Sequence, residues 1–182
     1  MAICNGVVHL RRAREDDAHG MAEVHVRTWQ HAYRDLLPPE VLRGLRVDAR
    51  ERWWATEIHT VPLNRRPWIA ETNTDIGGFV SVGPSRDALA SPNTGEIYAL
   101  YVAPECWDHG VGRNLLAHGQ KDLAEHGYSE ATLWVLADNV RARAFYEAAG
   151  WQTDGTERTE RIADHEIREV RYRRSLDSSR FS

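Results

Sequence analysis

Two glycines, Gly110 and Gly112, stand where a strand-like run gives way to a helix-like one. The residues before them, "EIYALYV" at 96–102, are rich in β-branched and aromatic side chains. Those after them carry Val111, Leu115, Leu116 and Leu123 at helical spacing, and Gly127 closes the run. A strand that turns directly into a helix presents unpaired amides and the positive end of the helix dipole to the loop. That arrangement suits a phosphate, and glycine lets phosphate oxygens approach the backbone. The short "GVG" fits an ordinary tight turn equally well. It is not a dinucleotide fingerprint, because the third glycine and the downstream acidic residue are missing, and no Gly-Lys-Ser/Thr follows to make a P-loop.

Around this junction the periodicity alternates. "VVHLRRA" reads as a strand, and Asp16 and Asp17 open a long helix in which Ala18, Met21, Ala22, His25, Trp29, Ala32 and Tyr33 recur on one face. Pro38 and Pro39 stop it. "EVLRGL" and "ARERWWATEI" read as shorter helices, "PWIAE" and "GGFVSVG" as strands, and "PSRDALASPNTG" as a loop. Beyond the junction helix, "EATLWVL" is a strand. Asn139 caps a helix that runs to Ala149 with Gly150 at its C-terminal turn, and "WQTDGTER" and "HEIREVRYRRS" form a closing hairpin, with "DSSRFS" frayed. The order predicts a mixed α/β fold, helices packed on a largely antiparallel sheet of six or seven strands. At 182 residues without an evident linker, the expectation is one domain over 1–182.

A net charge of −4 without a run of Lys or Arg argues against nucleic-acid or anionic-membrane partners and leans toward a cationic substrate. Cys4 and Cys106 fall in no metal-ligand spacing and form no disulfide framework, and the nine histidines are scattered, so no metal is expected. The apolar stretches are too short to cross a bilayer, and "MAICNGVVHLRR" lacks signal-peptide architecture. These features predict a soluble, cytoplasmic protein.

The pair of segments "GEIYALYVAPECWDHGVGRNLL" and "ATLWVLADNVRARAFYEAAGW" resembles the GNAT superfamily of acetyl-CoA-dependent N-acetyltransferases. That family's pattern is strand, Q/R-x-x-G-x-G/A, helix, strand, then N-x-x-A-x-x-x-Y-x-x-x-G-F/W. The likeness is dense over 95–151, and "VHVRTWQHAYRDLLPPEVL" is similar to the first helices of a bacterial branch. The resemblance implies a sheet with helices on both faces, splayed between its fourth and fifth strands to admit acetyl-CoA as cosubstrate. It implies pantetheine contacts along Leu100, Tyr101 and Val102, and a pyrophosphate on the amides of His109, Gly110, Val111, Gly112 and Arg113. Asn139 and Ala142 match further cofactor positions. Trp107 stands where Gln or Arg is usual, and Asp108 brings a carboxylate beside an anion site; neither is assigned as a ligand.

Acetyl transfer to an amine requires that the ammonium lose a proton and the departing thiolate gain one. By the resemblance Glu96 is the general base, against the alternative of an exposed glutamate at a strand start. Tyr146 is the general acid, against the alternative of a core aromatic. Trp29 and Tyr33 fall in the region that lines the acceptor side in the family, although core packing accounts for each taken singly, and His25 reads as a satisfied core histidine. The expected activity is direct transfer of acetyl to a primary amine of a small molecule, such as a polyamine or an antibiotic, with a homodimer as an allowed assembly. The alternatives are a protein amino-group acetyltransferase and a non-catalytic acetyl-CoA sensor.

Overall fold

The computed structural model describes residues 8–72 and 75–176. Its elements run β1 (His9–Arg12), α1 (Ala18–Ala32), α2 (Pro39–Arg43), α3 (Val47–Thr60), β2 (Trp68–Glu71), β3 (Ile76–Pro84), β4 (Thr94–Val102), α4 (Val111–Glu125), β5 (Glu130–Leu136), α5 (Val140–Ala148), β6 (Gln152–Ile162) and β7 (His165–Ser175). The seven strands form one sheet in the order β1-β2-β3-β4-β5-β7-β6. β1/β2, β2/β3, β5/β7 and β6/β7 are antiparallel, and β4/β5 is parallel. The predicted element order and mixed sheet are therefore present. The loop expected at 84–95 is shorter, since Pro84 ends β3 and Thr94 already opens β4. The frayed segment 177–182 lies outside the described residues.

The chain divides into two compact units, the described residues up to Ser81 with Ala99–Gly119, and Val82–Tyr98 with the described residues from Gln120. In the first unit α1 buries Met21, Ala22, Val24, His25 and Val26, and α3 buries Trp54 and Ile58. Trp54 meets Phe79 edge-on at 4.8 Å, and Phe79 meets Tyr101 edge-on at 5.4 Å. Full burial of each such aromatic stabilises by about 2–3 kcal/mol. β3 passes close to the end of β4. A Cβ on Gly78 would lie 2.8 Å from the Tyr101 carbonyl oxygen, so only glycine fits there.

The second unit is built on β5. Its ladder with β7 runs the full strand, from Glu130↔Ser175 to Leu136↔Glu169. Its ladder with β4 spans only Thr94↔Glu130 to Ile97↔Leu133. The parallel pairing thus stops partway along both strands, which is the splay expected between the fourth and fifth strands. Leu133, Trp151 and Tyr172 form the centre of this unit's core. The Asn139 side chain accepts from the Ala142 amide at 3.0 Å, the predicted cap of α5.

Cys106 corrects the expectation of unpaired cysteines, because it is disulfide-bonded. Cysteines far apart in sequence give no spacing signal, and only the fold decides whether a thiol finds a partner. Cys4 lies outside the described residues.

Candidate active site

The junction between β4 and α4 is held open by its backbone. Asp108 has φ 63° and Gly110 φ 80°, left-handed conformations on either side of His109. A Cβ on Gly110 would meet nothing within 4 Å, so glycine is required there by its dihedral and leaves open space above the backbone. The first helical bond of α4 runs from the Asn114 amide to the Gly110 carbonyl at 3.0 Å. The amides of Val111, Gly112 and Arg113 therefore have no intrahelical acceptor and carry the positive end of a 15-residue helix. Alternating backbone conformations followed by a helix N-terminus are the kind of backbone that can receive an anion.

Trp107 explains its own departure from the family motif. Its indole Nε1 donates to the Val102 carbonyl at 2.7 Å, and Thr28 Oγ1 on α1 donates to the same oxygen at 3.0 Å. Both lone pairs of that carbonyl are taken, so Val102 has no carbonyl acceptor left for a ligand. Asp108 is exposed.

The structure brings Trp29 on α1 together with Tyr33 just past its end, their ring centroids 5.1 Å apart. His25 lies 5.5 Å from Trp29 and 4.6 Å from Tyr101 on β4. The predicted acceptor aromatics and the predicted strand residue Tyr101 thus share one cluster, with His25 at its centre. His25 is only half satisfied, because Nδ1 accepts from the Trp54 indole at 3.3 Å while Nε2 has no partner among the described residues. Burial, and after it the charge of Arg50, push its pKa down to about 3, so the ring is neutral.

In the second unit Glu96 is 1% exposed, which removes the alternative of an exposed strand-start glutamate. Its carboxylate is held by Arg86. The Arg86 amide donates to Oε2 at 2.8 Å, and Nε and Nη2 donate to Oε1 at 3.1 and 2.6 Å. A carboxylate offers about four acceptor positions, so this grip leaves one, on Oε2. The Arg86 guanidinium also lies 4.2 Å over the Tyr98 ring. Tyr146, on α5, is half-buried beside Phe145, Trp151 and Tyr172. Tyr172 donates to Glu147 and accepts from Arg143 at 3.1 Å, which ties α5 to β7. Burial first, then the Glu147 bond, raise the Tyr172 pKa, so this phenol stays protonated.

A strand whose parallel ladder stops early, followed by a loop of left-handed residues and a helix N-terminus, defines the frame of a coenzyme A-dependent acyltransferase. The profile of the acetyltransferase (GNAT) family matches residues 21–151, and the chain belongs to that family. It is an N-acetyltransferase with acetyl-CoA as cosubstrate. The uncharacterized N-acetyltransferase YuaI of Bacillus subtilis (strain 168) is 31% identical over 143 residues, 78% of this chain and 79% of that protein. A mycothiol acetyltransferase of Kocuria rhizophila is 47% identical over 62 residues, 34% of this chain and 20% of its own length. The PaiA N-acetyltransferase of Thermoplasma acidophilum, solved with coenzyme A, has the same fold at 17% identity, with a TM-score of 0.73 over 93% of this chain and 99% of that one. Among the described residues no helix is long and apolar enough to cross a membrane.

Two features of these clusters escaped the sequence. Arg86 sits in a segment read as a loop, and nothing in its spacing marks it as the partner of Glu96. The open valence of His25 is equally invisible, because a histidine on an apolar helix face reads as core whether or not both nitrogens are bonded.

Proposed function

We propose that this chain moves acetyl from acetyl-CoA directly to a primary amine of a small molecule, without an acyl-enzyme. The observation that carries the reading is the junction at Asp108–Arg113, with its left-handed residues and unpaired helical amides. The backbone of His109, Gly110, Val111, Gly112 and Arg113 would hold the pyrophosphate, and Arg113 can add a charge-assisted contact. Leu100 and Tyr101, with the amide side of Val102, would line the pantetheine, as would Asn139 and Ala142. The new bond forms between the amine nitrogen and the acetyl carbon, and the carbon–sulfur bond breaks. Glu96 receives the ammonium proton directly or through water at its remaining Oε2 position, and Tyr146 protonates the leaving thiolate. Relatives named as mycothiol acetyltransferases support a small-molecule acceptor over a protein amino group.

Tyr146→Phe tests the acid. Removing one hydroxyl should lower kcat at least tenfold while coenzyme A affinity stays within about twofold of the parent. A kcat equal to the parent's would remove Tyr146 from the proposal.

A further inference from the structure

The aromatic cluster on α1 holds two buried donors that have no hydrogen-bond partner among the described residues. Because His25 Nδ1 accepts the Trp54 indole proton, the neutral ring carries its own proton on Nε2, and that N–H is buried without a partner. The Trp29 Nε1–H is buried without a partner too. His25 as a whole is 5% exposed, and the two rings are neighbours, 5.5 Å between centroids. An unsatisfied buried donor costs roughly 1–3 kcal/mol. A site that holds such groups discriminates strongly in favour of a ligand that satisfies them.

The charge beside these donors has one sign. The Arg50 guanidinium lies 6.0 Å from the centre of the Trp29 ring, and it is the charge that bears on His25. Two N–H donors beside a cation suit an anion. They are a poor seat for a second ammonium, which brings only donors and a like charge.

We propose that His25 and Trp29 donate to a carboxylate carried by the amine acceptor, with Arg50 supplying the matching charge. The acceptor class is then an amino acid rather than a polyamine, and the lean toward cationic substrates drawn from net charge is reversed at this site. The inference rests on the acetyl-transfer reading only in supposing that the ligand is the acceptor. The donors act on binding and orientation, so His25 and Trp29 are positioning residues.

Matched trios of acceptors test this: phenylalanine, phenylalanine amide and phenethylamine, and leucine, leucine amide and isoamylamine. With rates expressed per unit of free amine base, kcat/KM should favour the carboxylate over both other members by at least tenfold. His25→Phe, Trp29→Phe and Arg50→Gln should each shrink that ratio toward one, and the last two keep the test alive if the first fails to fold. Calorimetry with 3-phenylpropionate and 4-methylpentanoate, which cannot be acetylated, reads the same site without turnover. Binding by the parent that weakens at least fivefold in the variants supports the inference even if no amine is acetylated, an outcome that would sink only the transfer reading. Acetylation of the plain amines or amides as fast as the amino acids would overturn the inference and leave that reading standing. So would a ratio untouched by the substitutions, or carboxylates that do not bind.

Discussion

At Glu96 the question is whether a carboxylate gripped by an arginine can still take a proton. Glu96→Gln keeps the shape and removes the base, so the rate at neutral pH should fall by roughly a hundredfold, the scale of general-base catalysis, and recover in part as rising pH supplies free amine. Arg86→Gln breaks the same ion pair and leaves the carboxylate in place, so its rate should stay within about tenfold of the parent. If the two variants lose activity equally, the ion pair matters and the base lies elsewhere. His25 offers a test that needs no substrate. Its folded pKa of about 3 lies below the ordinary 6.5, so between those values the unfolded chain binds a proton that the folded chain refuses. Its contribution to stability is complete above about pH 6.5 and is lost as pH falls toward 3, at up to about 1.4 kcal/mol per pH unit. Urea unfolding at pH 7 and pH 5 should show a steeper loss for the parent than for His25→Phe. Equal losses would mean that His25 titrates normally when folded.

At the scale of elements, the β4–α4 junction is the proposed seat of the pyrophosphate. Gly112 lies in the first turn of α4, where a side chain would crowd the amides of Val111–Arg113. Gly112→Val should weaken coenzyme A at least tenfold by calorimetry in a variant whose circular dichroism matches the parent's. Unchanged affinity would take the pyrophosphate away from this helix. The junction was legible in the sequence because each of its parts has a local signature: strand run, paired glycines, helical face, and the Asn139 cap one strand later. What sequence could not supply is long-range. The link between Arg86 and Glu96 depends on how β3 returns into β4, where the Ser85 amide bonds the Thr94 carbonyl at 3.0 Å. The two hydrogen bonds to the Val102 carbonyl depend on α1 and Trp107 converging on one atom. Trp107 therefore looked like a broken motif position, whereas it is the residue that closes the end of β4. For Glu96 the sequence left an exposed strand start open as the alternative to a base, and only the fold shows that it is buried.

At the scale of the whole molecule, family membership fixes acetyl-CoA as cosubstrate and leaves the acceptor to this chain's own residues. The aromatic cluster and the β4–α4 junction lie in the first unit. A coenzyme A-binding sensor could carry the same junction, and turnover is what separates the two readings. The direct measurement is thiol release from acetyl-CoA across a panel of amines and amino acids, with the products weighed by mass spectrometry. Direct transfer predicts thiol released only when an acceptor is present, one N-acetylated acceptor per thiol, and no acetylated protein. Tight coenzyme A binding with no acceptor-dependent thiol release, or acetyl found on the protein itself, would contradict the account.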